Sequence, residues 1–110
     1  MIKIIGEIMS IKNIDILPSQ IEEMKPCYIL DIREHEEIKK LPLLINSHHI
    51  PMNEILENPS SFNKEDKLIF ICAVGMRSKF VAEVFRSQGY DFAYSVLGGV
   101  PEINDQVSSD

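Results

Sequence analysis

The sequence predicts a three-layer α/β/α domain whose core is a mainly parallel sheet of about five strands flanked by helices. Two runs predict it: Cys27–Ile32, which stops at a charged cluster, and Lys67–Cys72, which stops at a Gly-containing loop. Short, unbroken apolar runs of this kind suit strands buried on both faces, as in a parallel sheet. Between and around them, strand patterns alternate with short helical ones, the order that makes parallel sheets with helices on both sides.

The elements follow in order. Asn13–Leu17 reads as a short strand, and Pro18-Ser19-Gln20 opens a helix to about Met24 that Pro26 ends. After the strand Cys27–Ile32, the highly charged stretch Arg33–Lys40 forms a short helix, broken at Pro42. Asn46–Ile50 is a third strand, Pro51–Leu56 another short helix, and Asn58-Pro59-Ser60-Ser61 a turn. Beyond the second strong strand, Ala73-Val74-Gly75-Met76 forms a loop. Arg77–Gln88 is helical, with Phe80, Val81, Val84 and Phe85 on one face and Gly89 as the stop. Ala93–Leu97 is the last strand, Gly98-Gly99 turns the chain, and a final helix starts near Pro101. The domain is read as residues 13–105, with 1–12 an extension or edge strand and 106–110 a polar tail.

Composition limits the function. A chain of 110 residues with 45% hydrophobic and 25% charged residues fits one soluble domain. A net charge of −6 argues against nucleic acid as a partner, because a phosphate backbone needs a basic face. No run approaches the length of a membrane span, and the start lacks the apolar core of a signal peptide, so no membrane and a cytoplasmic setting with reduced thiols are expected. The two cysteines, Cys27 and Cys72, form no Cys-x-x-Cys unit, which removes the main signal for a zinc ribbon or a thioredoxin-like site.

The chemistry concentrates in Cys72-Ala73-Val74-Gly75-Met76-Arg77-Ser78. In an open parallel sheet, sites lie beyond the carboxyl ends of strands. Here a strand ends at a thiol, a loop follows, and a helix begins. Loop N–H groups and the free N–H groups of the first helical turn can converge on one centre, where the helix dipole adds positive potential. Cys72, at the mouth of such an anion-binding loop, should ionise below the ~8.5 of a free cysteine, and the thiolate is the nucleophile. Gly75 admits backbone angles closed to other residues. Arg77 adds a permanent charge that offsets the negative protein. A cysteine closing a buried strand is, taken alone, a small core hydrophobe. The Cys-x-x-Gly-x-Arg-Ser spacing between strand and helix favours a functional loop.

The chain resembles the rhodanese family. The resemblance lies in Leu30-Asp31-Ile32-Arg33-Glu34, Ile50-Pro51-Met52, the Cys72–Ser78 loop, Gln88-Gly89-Tyr90 and Leu97-Gly98-Gly99-Val100, in the family's order across about residues 13–103. It implies a rhodanese-like sulfurtransferase without metal or organic cofactor. Cys72 would accept a sulfane sulfur as a persulfide and pass it to a thiophilic acceptor: cyanide in assays, a thiol or a protein in the cell. The loop N–H groups from Ala73 to Ser78 would cradle the thiolate, the persulfide or a donor oxyanion, and Arg77 would support the loop or the anion. Asp31 and Arg33 would be supporting residues, largely structural, near the base of the loop.

Three departures bear on specificity and local geometry. Thiosulfate-using members often carry a basic residue after the cysteine, where this chain has Ala73, and Val74 and Met76 make the rim apolar. That pattern points to weak thiosulfate activity, or to a protein donor such as a cysteine desulfurase persulfide. The family's His-Ile-Pro-Gly stretch is degenerate around Leu43–Ser47, and the usual Trp after the double glycine is Ile103 or absent.

Other residues take plainer roles. His48 and His49, adjacent in an extended segment, face opposite sides and do not form a joint metal site. His35 is a surface residue, Cys27 belongs to the core rather than acting as a resolving thiol, and Gly98-Gly99 is turn chemistry. Two rival functions remain open: a non-catalytic interaction or sensing module, and a cysteine phosphatase. Phosphatases of this type use Cys-x5-Arg, whereas Arg77 follows Cys72 by Cys-x4-Arg.

Overall fold

The computed structural model describes residues 13–43 and 46–100. Its strands are β1 (Asp15–Ile16), β2 (Tyr28–Asp31), β3 (Ser47–His49), β4 (Leu68–Ile71) and β5 (Ala93–Val96). They form one sheet in the order β1-β5-β4-β2-β3, and every pairing is parallel. The expected fold class is observed.

The helices are α1 (Ile21–Met24), entered through a 3-10 turn at Pro18–Gln20, α2 (His35–Lys40), α3 (Met52–Glu57) and α4 (Met76–Ser87). The expected N-terminal helix is thus split: Pro18 at the first position opens a 3-10 turn, and only four residues become α-helical. The turn expected at Asn58–Ser61 is a 3-10 turn over Pro59–Ser61. The edge strand considered for residues 1–12 and the tail at 106–110 fall outside the described residues; of the helix expected near Pro101, the start at Gly99 and Val100 is helical and the rest lies outside them.

The two strong apolar runs fill both faces of the sheet, as their patterns require. On β4 the side chains alternate. Leu68, Phe70 and Cys72 join Leu30, Ile55 and the helix residues Val81, Ala82 and Phe85 in one cluster. Ile69 and Ile71 join Ile16, Ile21, Ile29, Tyr94 and Val96 in the other.

Helix α4 packs with a different face from the one expected. Its buried residues are Ser78, Val81, Ala82 and Phe85, while Phe80 is 52% exposed and Val84 half-buried. The cause is the start of the helix: Ser78 is turned inward toward Cys72, and at 100° per residue this fixes Phe80 on the far side.

Candidate functional site

Strand β4 ends at Ile71, and Cys72 is the first residue beyond it. The chain then turns through Gly75, which caps α4 in the left-handed region at φ 93°. The turn aims the Gly75 N–H at Cys72 Sγ (3.1 Å) and the Ser78 N–H at the same atom (3.3 Å). The thiol donates to Ser78 Oγ at 3.4 Å. Burial alone would push the Cys72 thiol up. The Ser78 hydroxyl and the N–H groups of Ser78, Gly75 and Val74 act against it and hold the thiol below its ordinary value. Of the loop N–H groups from Ala73 to Ser78, those of Gly75 and Ser78 make hydrogen bonds to the sulfur.

Two features of the loop differ from expectation. Cys72 lies at the floor of the loop rather than at its mouth, with 0% of its surface exposed. The N–H donors and the apolar cluster of Leu30, Phe70 and Val81 draw the sulfur inward from opposite sides. Ala73 covers it half-buried, and Val74 and Met76 project outward, 66% and 77% exposed.

Arg77 does not point its charge at the sulfur. Its guanidinium grips Glu37 of α2 with two bonds of 2.7 Å, and Glu37 also accepts the Glu34 N–H. The hydrogen bond from Arg77 lowers the Glu37 carboxyl to about 2 and raises Arg77 in return. Arg77 thus ties the start of α4 to the start of α2, while its charge also interacts with Cys72. Of the two roles the resemblance offered, loop support matches this geometry and anion contact does not.

Asp31 is the last residue of β2, in register with Ile71 at the end of β4, and Arg33 lies two residues beyond it. Both are buried, 0% and 2% exposed. The guanidinium meets both carboxylate oxygens at 2.7–3.0 Å, and the Arg33 N–H caps the same carboxylate at 3.1 Å. The Arg33 carbonyl accepts from His49 Nε2 at 2.6 Å. This is a self-contained ion pair that fixes the turn after β2.

His48 is exposed against Tyr28, and His49 stacks edge-on with exposed His35. Among the described residues no group of three His, Cys, Asp or Glu could hold a metal ion. Cys27 is a half-buried free thiol packed against the Ile29–Ile69 face, and burial raises its pKa. It precedes Tyr28, whose partner is Leu68, so it sits level with Lys67, about 16 Å along the sheet from Cys72 at ~3.3 Å per residue. That distance removes it as a resolving thiol.

Three residues of the site escaped the sequence reading. Glu37, 40 positions from Arg77, looked like part of a solvated charged face. Gly99 looked like turn chemistry alone, yet a Cβ there would stand 2.3 Å from the Ala73 carbonyl oxygen and 2.5 Å from that of Cys72. Ser95 is 1% exposed and its hydroxyl lies 2.7 Å from that of Ser78. One signal for it was present: a hydroxyl inside the otherwise apolar run Ala93–Leu97.

Comparison with known proteins agrees with this geometry. The model of the rhodanese-like domain matches residues 15–106. The chain belongs to the rhodanese-like domain family. It is 34% identical over 94 residues to YtwF of Bacillus subtilis, a provisionally named sulfurtransferase, covering 84% of this chain and 89% of that one. It is 28% identical over 90 residues to YrkF of the same organism, a provisionally named sulfur carrier protein, covering 80% of this chain but only 47% of that relative. A crystal structure of a rhodanese-like domain protein from Staphylococcus aureus superposes with a TM-score of 0.69 at 30% identity, covering 84% of this chain and 93% of the other. These relatives support a sulfurtransferase or sulfur-carrier role. Among the described residues no helix is long and apolar enough to cross a membrane.

Proposed function

We propose that this rhodanese-like domain is a sulfurtransferase that carries sulfane sulfur as a persulfide on Cys72. The observation that supports it most is the pair of N–H groups, from Gly75 and Ser78, directed at one sulfur at the start of α4. Such a site stabilises the thiolate before attack and the terminal sulfur of the persulfide after it. With thiosulfate, the Cys72 thiolate forms an S–S bond to the sulfane sulfur, and sulfite leaves with the electron pair of the broken bond. With a protein persulfide, the donor thiolate leaves instead. The acceptor then attacks the outer sulfur and Cys72 returns as thiolate: cyanide leaves as thiocyanate, a thiol or protein as its own persulfide. Each round restores the enzyme without a metal or an organic cofactor. A free thiol nucleophile suits a reducing compartment, which goes with the cytoplasm.

The donor we favour is a protein persulfide. Arg77 is paired with Glu37, Ala73 brings no charge, and Val74 and Met76 of the loop are exposed and apolar. Adding charge tests this: Ala73→Arg is expected to raise turnover with thiosulfate about fivefold, the effect of roughly 1 kcal/mol of added attraction. An unchanged or slower rate in a thiocyanate assay would remove this account of the rim. The engagement of Arg77 also leaves the phosphatase reading without its phosphate-wrapping cation.

The direct test is mass spectrometry of the intact protein after exposure to thiosulfate or a low-molecular-weight persulfide. A gain of ~32 Da, one sulfur, is expected and should map to the peptide holding Cys72. Cys72→Ser should lose the label and Cys27→Ser should keep it. Label on neither cysteine, or on Cys27 alone, overturns the proposal and leaves the non-catalytic module as the reading.

A further inference from the structure

Ser95 stands on β5 in register with Phe70, on the side of the sheet that α4 covers. No solvent reaches it, so its hydroxyl must find partners within the protein. It has two: Ser78 Oγ at 2.7 Å and the Gly75 carbonyl at 3.5 Å. Ser78 Oγ in turn lies 3.3 Å from the same carbonyl and 3.4 Å from Cys72 Sγ.

Counting protons shows what this arrangement does. While Cys72 is a thiol, its S–H donates to Ser78 Oγ and the Ser78 proton is free for the Gly75 carbonyl. When the thiol proton leaves to solvent, the sulfur becomes an acceptor only, and Ser78 must turn its proton to it. The Gly75 carbonyl keeps the Lys79 N–H as a donor at 3.3 Å, so the Ser78 hydroxyl can leave it. Ser95, 2.7 Å from Ser78 Oγ, can then give its one proton to that oxygen. That bond polarises the Ser78 O–H and strengthens its bond to the thiolate.

Resting on the reading of Cys72 as the sulfur-carrying nucleophile, we propose that Ser95 is a positioning residue for it. It acts through Ser78, donating to that hydroxyl so that it binds the ionised sulfur more strongly. Nothing in this role requires Ser95 to touch donor or acceptor. It also explains a buried hydroxyl in a strand whose neighbours Ala93, Tyr94 and Val96 are all buried core residues.

The test reads the thiol itself. In a Cys27→Ser background, the rate of iodoacetamide alkylation against pH gives the ionisation midpoint of Cys72. Ser95→Ala should raise the midpoint by between about half and one pH unit and slow alkylation at pH 7 about threefold to tenfold, the effect of losing one hydrogen bond. With Ser78→Ala already present, adding Ser95→Ala should move the midpoint no further, since the connecting hydroxyl is gone. Ser95→Thr and Ser95→Val have the same shape, and only the valine variant should behave like Ser95→Ala. An unmoved midpoint, an equal shift in both backgrounds, or matching behaviour of threonine and valine overturns the role. Alkylation does not involve the persulfide. Missing sulfur on wild-type Cys72 would therefore count against the sulfurtransferase reading and leave these midpoints to be judged separately.

Discussion

Gly99→Ala is expected to destabilise the domain by on the order of 3–6 kcal/mol and to disorganise the loop around Cys72. Gly99 has φ +74°, which a side chain already disfavours. The larger effect is contact. A Cβ would stand 2.3 Å from the Ala73 carbonyl oxygen and 2.5 Å from the Cys72 carbonyl oxygen, both fixed backbone atoms. Next to it, the Val100 N–H donates to the Cys72 carbonyl at 2.9 Å, a bond that the displaced turn would break. Against a total stability of roughly 5–15 kcal/mol for a domain, such a loss is severe. Urea unfolding should show a large fall in midpoint, and the ionisation midpoint of Cys72 should rise as its N–H donors move away. Gly89→Ala is the control. Its φ of +96° is as unfavourable, but its Cβ would meet only the mobile end of Lys64, at 3.2 Å from Nζ. It should cost only about 1 kcal/mol and leave Cys72 untouched. Equal losses for the two variants would show that backbone angle, not the close approach to Cys72, governs Gly99.

The contrast between these glycines shows what a sequence can carry. Local pattern announced β2 and β4, because a strand buried on both faces needs a mainly apolar run, and Cys27–Leu30 and Leu68–Cys72 supply one each. It also announced the loop, because the thiol, Gly75 and the start of α4 are consecutive in the chain. β1 pairs only Asp15 and Ile16, and β3 is held partly by histidines, so their registers come from neighbours rather than from their own composition. The face of α4 was misjudged at Phe80 because periodicity weighs hydrophobicity, while the small polar Ser78 set the rotation. Glu37, Ser95 and Gly99 escaped for one shared reason. Their partners, Arg77, Ser78 and the Cys72–Ala73 backbone, lie far away in sequence and become neighbours only when β5 and α2 close around the end of β4.

Breaking the Asp31–Arg33 pair is the second large effect expected. Asp31→Asn keeps the shape but leaves the Arg33 guanidinium, only 2% exposed, without a counter-charge. An uncompensated buried charge typically costs about 3–5 kcal/mol, a large share of the roughly 5–15 kcal/mol that holds a domain folded. The pair as a whole need not be stabilising, because both ions surrendered their hydration to form it. The double variant Asp31→Leu with Arg33→Met, which removes both charges together, should therefore recover most of the loss in urea unfolding. Function separates the two meanings of the pair. Arg33 points its charge into Asp31 and not toward Cys72, so a refolded double variant should still take up the ~32 Da of one sulfur on Cys72. A double variant as stable as the parent but unable to take up sulfur would give Asp31 and Arg33 a direct part in the chemistry, which their closed geometry argues against. If instead the double variant is no more stable than Asp31→Asn alone, the pair is needed for the fold of the β2 turn itself, where the Arg33 N–H and carbonyl bind Asp31 and His49.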